Sequence, residues 1–381
     1  MGAALRIHEK EFLCFCTKSE ERLSKKCKKG LYMRIVITTV QVPFITGGAE
    51  YHANNLKTAL QNHGHEVEIV TMPFMDQPVE LIEDHIVAAR LMDIEANWAG
   101  RVDLCIGLKF PAYYMPHSNK VIWALHQYRA AYDLFDTAYS ELKNDKYGNR
   151  IKRIVTNADN LYLNEAKRIY ANSVNVANRM KKNNEIKATP LYHPCPDMDQ
   201  FYASDYGDYI LMPSRINITK RQLLAIEAMT HSASNVMLYI MGGADNTFEK
   251  TRMTDIIKEY KLQNRVHYLG LVSNEDKLKL YANARAVLFI PFDEDYGYIT
   301  LEAMSASRAV ITAVDSGGPL EFVENGRNGM IVKPEPEAIA RAIDDFAKSP
   351  AMATHMGQEA KKHISGMNIS WANVVKELTS Q

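Results

Sequence analysis

Phe292-Asp293-Glu294-Asp295-Tyr296-Gly297-Tyr298-Ile299-Thr300-Leu301-Glu302-Ala303-Met304 is the stretch that decides how this chain is read. The residues before it, Ala286-Val287-Leu288-Phe289-Ile290, are a short apolar run rich in branched side chains, which predicts a buried strand. Strand, acidic loop, glycine and helix thus follow one another. A helix N-terminus offers unpaired N–H groups and a partial positive charge, which suits a phosphate. Carboxylates beside it can accept hydrogen bonds from sugar hydroxyls. Eight helical residues turn through roughly 800°, about 80° from eclipsed, so two helical glutamates at this spacing would not share a face. The economical reading puts Glu294 in the loop and Glu302 in the helix, about one turn past Gly297. They would then hold different parts of one extended ligand, such as a nucleotide sugar. Taken alone, such a pair is more often a loop acid and a surface helix residue.

The pattern Glu-x-Tyr-Gly-x-Ile-x-x-Glu-Ala-Met resembles the signature of the family-4 retaining glycosyltransferases, which have the GT-B architecture. The resemblance implies that Glu294 faces the donor sugar and Glu302 holds the nucleotide ribose. It implies that the N–H groups of Tyr298 and Ile299, just past Gly297, hold the diphosphate. Tyr296 stands where the family often has phenylalanine, a mild departure.

Working back, Tyr209–Met212 predicts a strand that runs into Pro213-Ser214-Arg215-Ile216-Asn217-Ile218-Thr219-Lys220 and a helix from Gln222. Two cations in a loop after a strand can bind a diphosphate, the arginine bidentately. Most such pairs are merely solvated. The resemblance gives Arg215 and Lys220 the task of neutralising charge on the leaving diphosphate. Further strands are expected near Val236–Met241 and Arg265–Leu269.

The first half opens with a strand over residues 33–40, then Thr46-Gly47-Gly48-Ala49-Glu50 and a helix stopped by Gly64. Another strand follows at Glu66–Thr71, completing a βαβ unit and predicting a parallel sheet. Gly47 and Gly48 would let backbone approach a ligand closely. There is no Gly-x-Gly-x-x-Gly, and the second strand ends without an acid, so a dinucleotide site is not indicated. A plain turn is the competing reading. The resemblance sets the Gly-Gly loop against the donor phosphates. A strand at Lys120–Leu125 brings His126 to a carboxyl strand end, where α/β sites gather. The resemblance puts a histidine of this region beside the donor sugar. The aromatics from Phe110 to Tyr139 could stack on an acceptor or simply pack the core.

The expected architecture is α/β, two Rossmann-like parallel-sheet domains facing a cleft. The first covers 33–195, on the acceptor side, and the second 206–365, on the donor side. A proline-bearing crossing joins them near 190–206. A helix over 366–381 is expected to cross back to the first domain. Residues 1–32, with the basic run Lys25-Lys26-Cys27-Lys28-Lys29, are expected to be a disordered extension.

Composition narrows the function classes. Forty-five basic and forty-five acidic residues in 381 cancel, so no global field argues for nucleic acid. Five cysteines form no Cys-x-x-Cys pair, which indicates neither a zinc site nor a disulfide framework and suits a reducing cytoplasm. Residues 141–187 carry eleven basic against five acidic side chains. That face is solvated by default, or it rests on anionic lipid or an anionic acceptor as a peripheral membrane contact.

The reading is a retaining glycosyltransferase needing no cofactor and no metal. It uses a nucleotide-sugar donor and a carbohydrate or lipid-linked hydroxyl acceptor, in polysaccharide or glycoconjugate biosynthesis. Three alternatives stay open. Asp293-Glu294-Asp295 could hold a divalent metal on the donor phosphates. The chain could be a nucleotide-sugar epimerase of the same architecture. It could also bind nucleotide sugars without catalysis.

Overall fold

The computed structural model describes residues 32–44, 47–98, 100–140, 142–244 and 247–380. The expected extension, residues 1–32, lies outside the described residues except for Tyr32.

Two six-stranded sheets organise the chain. The first comprises β1 (Arg34–Gln41), β2 (Glu66–Pro73), β3 (Leu104–Gly107), β4 (Lys120–Ala124), β5 (Arg168–Ala171) and β6 (Thr189–Pro190). Its order is β2-β1-β3-β4-β5-β6, with every pairing parallel. The second comprises β7 (Tyr209–Pro213), β8 (Met237–Met241), β9 (Val266–Gly270), β10 (Ala286–Leu288), β11 (Val310–Ala313) and β12 (Gly329–Val332). Its order is β9-β8-β7-β10-β11-β12, again parallel throughout. Parallel strands covered on both faces read as continuous apolar runs, and Tyr209–Pro213 and Lys120–Ala124 are buried at every position.

In each sheet the strand order reverses once, between β1 and β3 and between β7 and β10. Ligands of open α/β sheets bind outside the carboxyl ends of the strands at such a reversal. The loops after these four strands therefore set the site.

The helices named below are α1 (Gly48–Asn62), α3 (Gly148–Tyr162), α4 (Val174–Asn184), α5 (Gln222–His231), α8 (Tyr298–Ser305) and α11 (Trp371–Thr379), numbered with α2 (Leu81–Leu91), α6 (Thr247–Glu259), α7 (Asn274–Asn283), α9 (Pro336–Lys348) and α10 (Pro350–Gly366). The expected return of the chain end is seen. Val374, Val375 and Leu378 of α11 are buried with Ile35, Leu56 and Trp123 of the first domain. Burying such side chains stabilises by roughly 1.5–3 kcal/mol each. Arg168 donates to the carbonyls of Glu377 at 3.1 Å and Leu378 at 3.2 Å, a cation on a helix C-terminus.

Phe110, Tyr113, Tyr114 and Trp123 are buried to 2% exposure or less, so this part of the aromatic run is core and not an acceptor platform. No helix among the described residues is long and apolar enough to cross a membrane.

Candidate active site

On the second domain, the loop after β7 is shaped by Asn217. Its side chain accepts from Thr219 N at 2.9 Å and caps a single turn, Ile218–Lys220. That turn aims Lys220 at Glu294, and the two form an ion pair. The next residue, Arg221, has a left-handed backbone (φ 59°) and grips Asp315 with two hydrogen bonds of 2.7 and 2.6 Å. It thereby braces the loop. Arg215 stands exposed in the same loop, before the cap.

The loop after β10 is pinned by its backbone. Phe292 N donates to Thr219 O at 2.7 Å, Glu294 N to Ser316 O at 2.9 Å, and Gly318 N to Glu294 O at 2.8 Å. Gly297 then starts α8 with φ 84°, a conformation that disfavours any side chain. A Cβ there would also sit 3.0 Å from the Phe289 ring. Glu302 lies one turn into α8. It accepts from the Tyr281 hydroxyl at 2.5 Å and lies 3.5 Å from Lys277 Nζ. Glu294 and Glu302 thus have separate partners, as two ends of an extended site require.

Asp293 and Asp295 are engaged elsewhere. Asp295 pairs with Arg179 of α4 and lies 3.8 Å from Arg129, in the loop after β4. Burial pushes its pKa up, but Arg179 and Arg129 outweigh this and hold it below the usual carboxylate range. Asp293 accepts from Asn175 Nδ2 at 2.7 Å and lies 3.6 Å from Arg129. These acids join the two domains, each carboxylate facing Arg129 and Arg179.

On the first domain, Gly47 and Gly48 open α1, and Glu50 folds back to accept from Gly47 N at 2.8 Å. A Cβ on Gly48 would lie 3.6 Å from the Tyr298 ring, so the starts of α1 and α8 meet across the cleft. His126 is half-buried at the end of β4. Its Nδ1 lies 2.6 Å from the Gln127 carbonyl and so carries the proton, which leaves Nε2 as an acceptor. Burial lowers its pKa, with Asp295 opposing and Lys109 reinforcing the shift. Behind it, Gln127 donates to the buried Asp159 of α3 at 2.7 Å. Tyr114 and Tyr132 donate to the same carboxylate at 2.6 and 2.8 Å.

The expected residues therefore gather in two groups. Lys220, Glu294, Gly297, Tyr298 and Ile299 share one corner of the second domain, with Arg215 at its mouth and Glu302 at its far end. Gly47, Gly48 and His126 line the facing wall. Sequence reading missed Lys109, half-buried after β3, although the carboxyl-end rule that found His126 points there too. It also missed Arg129 and Arg179, which were legible only as charge. Within the basic excess of 141–187, Arg168 and Arg179 both turn toward partners.

Two doubly wound sheets with their carboxyl edges on one cleft define a GT-B protein. Comparison with known proteins agrees. The family described as Glycosyl transferases group 1 matches residues 198–363. The match spans nearly all of the second domain. Similar relatives include the alpha-1,3/1,6-mannosyltransferase of Dictyostelium discoideum, 29% identical over 178 residues, or 42% of each chain. The Homo sapiens protein of the same name is 28% identical over 168 residues, 41% of this chain and 40% of that one. The aligned part spans less than half of these relatives' length. In fold, the chain resembles sucrose-phosphate synthase of Thermosynechococcus elongatus with a TM-score of 0.74 at 17% identity, covering 91% of this chain and 97% of that one. Anabaena HepE, solved in complex with UDP-glucose, gives 0.66 at 18% identity, covering 91% and 98%.

Proposed function

We propose that this protein transfers a hexose from a nucleoside-diphosphate sugar to a hydroxyl acceptor, with retention at the anomeric carbon and without a metal. The observation that carries the reading is the Lys220–Glu294 pair beside the start of α8. A cation, an acid and open helix N–H groups stand where phosphate and sugar of one donor would meet.

In this reading the diphosphate lies on the N–H groups of Tyr298 and Ile299, with Lys220 and Arg215 stabilising charge as the anomeric C–O bond to phosphate breaks. Glu294 accepts from sugar hydroxyls and Glu302 from the ribose. His126 presents Nε2 toward the sugar, and Gly47-Gly48 let α1 come close over the phosphates. The acceptor oxygen bonds to the anomeric carbon on the face the phosphate leaves, and its proton passes to a phosphate oxygen. Enclosure between two domains excludes water and so limits hydrolysis. The mannosyltransferase names of the similar relatives favour a hexose donor.

Calorimetric titration with UDP, GDP, ADP and dTDP, each with magnesium and with EDTA, tests the site. Binding of one diphosphate in EDTA is expected and names the donor class. Binding only with metal, or none at all, overturns the reading. Sugar released or rearranged without an acceptor would point instead to hydrolysis or epimerisation.

A further inference from the structure

We propose that Lys109 anchors a phosphate ester carried by the acceptor, on the wall of the cleft opposite the donor's own phosphates. The proposal rests on the donor reading above and deepens it.

Lys109 follows β3, one of the two strands that flank the order reversal of the first sheet. Leu125 N donates to Leu108 O at 3.1 Å, so Lys109 and His126 leave adjacent strands just past one shared hydrogen bond. The backbone is fixed on its far side as well. Lys109 O accepts from Tyr113 N at 3.1 Å, and Phe110 is buried with its ring 5.1 Å from that of Tyr128.

The ammonium is half-buried and makes no ion pair among the described residues. Its electrostatic neighbours come from both domains: Glu50 and Asp76 from the first, Arg215 and Asp295 from the second. Burial lowers its pKa, and Arg215 across the cleft adds to the shift. Asp76 forms no ion pair with Lys109, and the other nearby carboxylates have partners of their own. Glu50 serves Gly47 N, Asp295 serves Arg179, and Glu294 serves Lys220. A partly desolvated cation without a partner is costly, and an anion from outside would relieve that cost. Lysine is a common point-charge binder of phosphate. The donor diphosphate is assigned to the opposite wall, so this anion arrives with the acceptor.

Two exposed apolar side chains adjoin Glu50 and Asp76 in sequence. Tyr51, beside Glu50, is 53% exposed, and Met75, beside Asp76, is 55% exposed. Both a soluble phosphate ester and one bearing an alkyl tail fit here, and the test separates them. Glycerol phosphate and octyl phosphate are titrated into the protein saturated with the diphosphate that binds it, for wild type, Lys109→Met and Lys109→Arg. Lys109→Met is expected to weaken both phosphates about tenfold, the scale of a lost charge-assisted hydrogen bond, with nucleotide affinity unchanged. Lys109→Arg is expected to restore most of the loss. Tighter binding of octyl than of glycerol phosphate to wild type assigns the anion to a lipid-borne acceptor, and equal binding to a soluble one. Unchanged phosphate affinity in Lys109→Met overturns the proposal, as does a parallel fall in nucleotide affinity, which would move Lys109 to the donor. If nucleotide binds wild type and neither phosphate does, this inference alone fails. If no nucleotide binds, the donor reading fails with it.

Discussion

Helices α1 and α8 both begin behind a glycine at the carboxyl edge of a sheet, and their first turns face each other. They differ in what occupies those turns. The first turn of α1 contains Glu50, whose carboxylate already takes the N–H of Gly47. The first turn of α8 has no acid and no side-chain cap. A helix start filled by its own carboxylate has little left for a phosphate, and its charge repels one. A start left open, beside a lysine, favours one. Two similar motifs thus imply unequal roles: α8 as the phosphate seat, α1 as a close backbone neighbour.

The sharpest way to break this comparison is through the cations on the α8 side. Lys220→Ala or Arg215→Ala should lower turnover by about 10²–10³-fold, the usual scale for removing one electrostatic stabiliser. Near-normal rates would reverse the assignment. Next in size is the strap between the walls. Asp295→Asn removes one of three carboxylates, beside Asp133 and Asp293, that Arg129 and Arg179 share, and should cost about 2 kcal/mol in denaturant unfolding, the scale of a charge-assisted hydrogen bond; an unchanged midpoint would show that the walls meet without it. Glu302→Gln should weaken diphosphate binding about tenfold in calorimetry, from loss of a charge-assisted bond to the ribose.

A smaller effect concerns His193, packed between the two helix starts. Its ring centroid lies 4.3 Å from that of His52 on α1 and 5.3 Å from that of Tyr298 on α8. Burial lowers its pKa to about 3, against about 6.5 in the unfolded chain. The unfolded chain therefore binds the proton first as pH falls. The stabilisation is complete above about 6.5 and declines toward 3, by up to about 1.4 kcal/mol per pH unit. His193→Gln should flatten that part of a stability–pH profile, and an unaltered slope would assign it to other groups. Smallest, Glu50→Ala should cost about 1 kcal/mol of stability through the lost cap while leaving nucleotide affinity intact or improved. A tenfold loss of affinity would make α1 an equal partner of α8.

Much of this was legible in the residues. The strand before Phe292, the glycine at 297 and the helix carrying Glu302 could be read locally, because a short apolar run, a helix-starting glycine and a helical spacing are short-range signals. The return of α11 was expected as a helix over 366–381. Partners were harder to see. Asp295 meets Arg179 across 116 positions of sequence, and Glu302 meets Tyr281 from another helix. Charge alone marked residues 141–187 as basic, and only the fold shows Arg168 and Arg179 turned to partners. Lys109 was hidden by company: it stands before a run of aromatics that reads as core, and most of that run is core.

The chain leaves the first domain near Leu191 and comes back after Met367. Tyr192, Met198, Met367 and Ile369 from the two crossings pack on one apolar cluster of the second domain, around Phe201 and Ile364. A body attached at a single point can swivel in any direction. One attached at two adjacent points, like a door on a pair of pins, keeps essentially one rotation. Any opening of the cleft is thereby channelled into a single swing. Such a swing would part the starts of α1 and α8 along one path and return them to the same register.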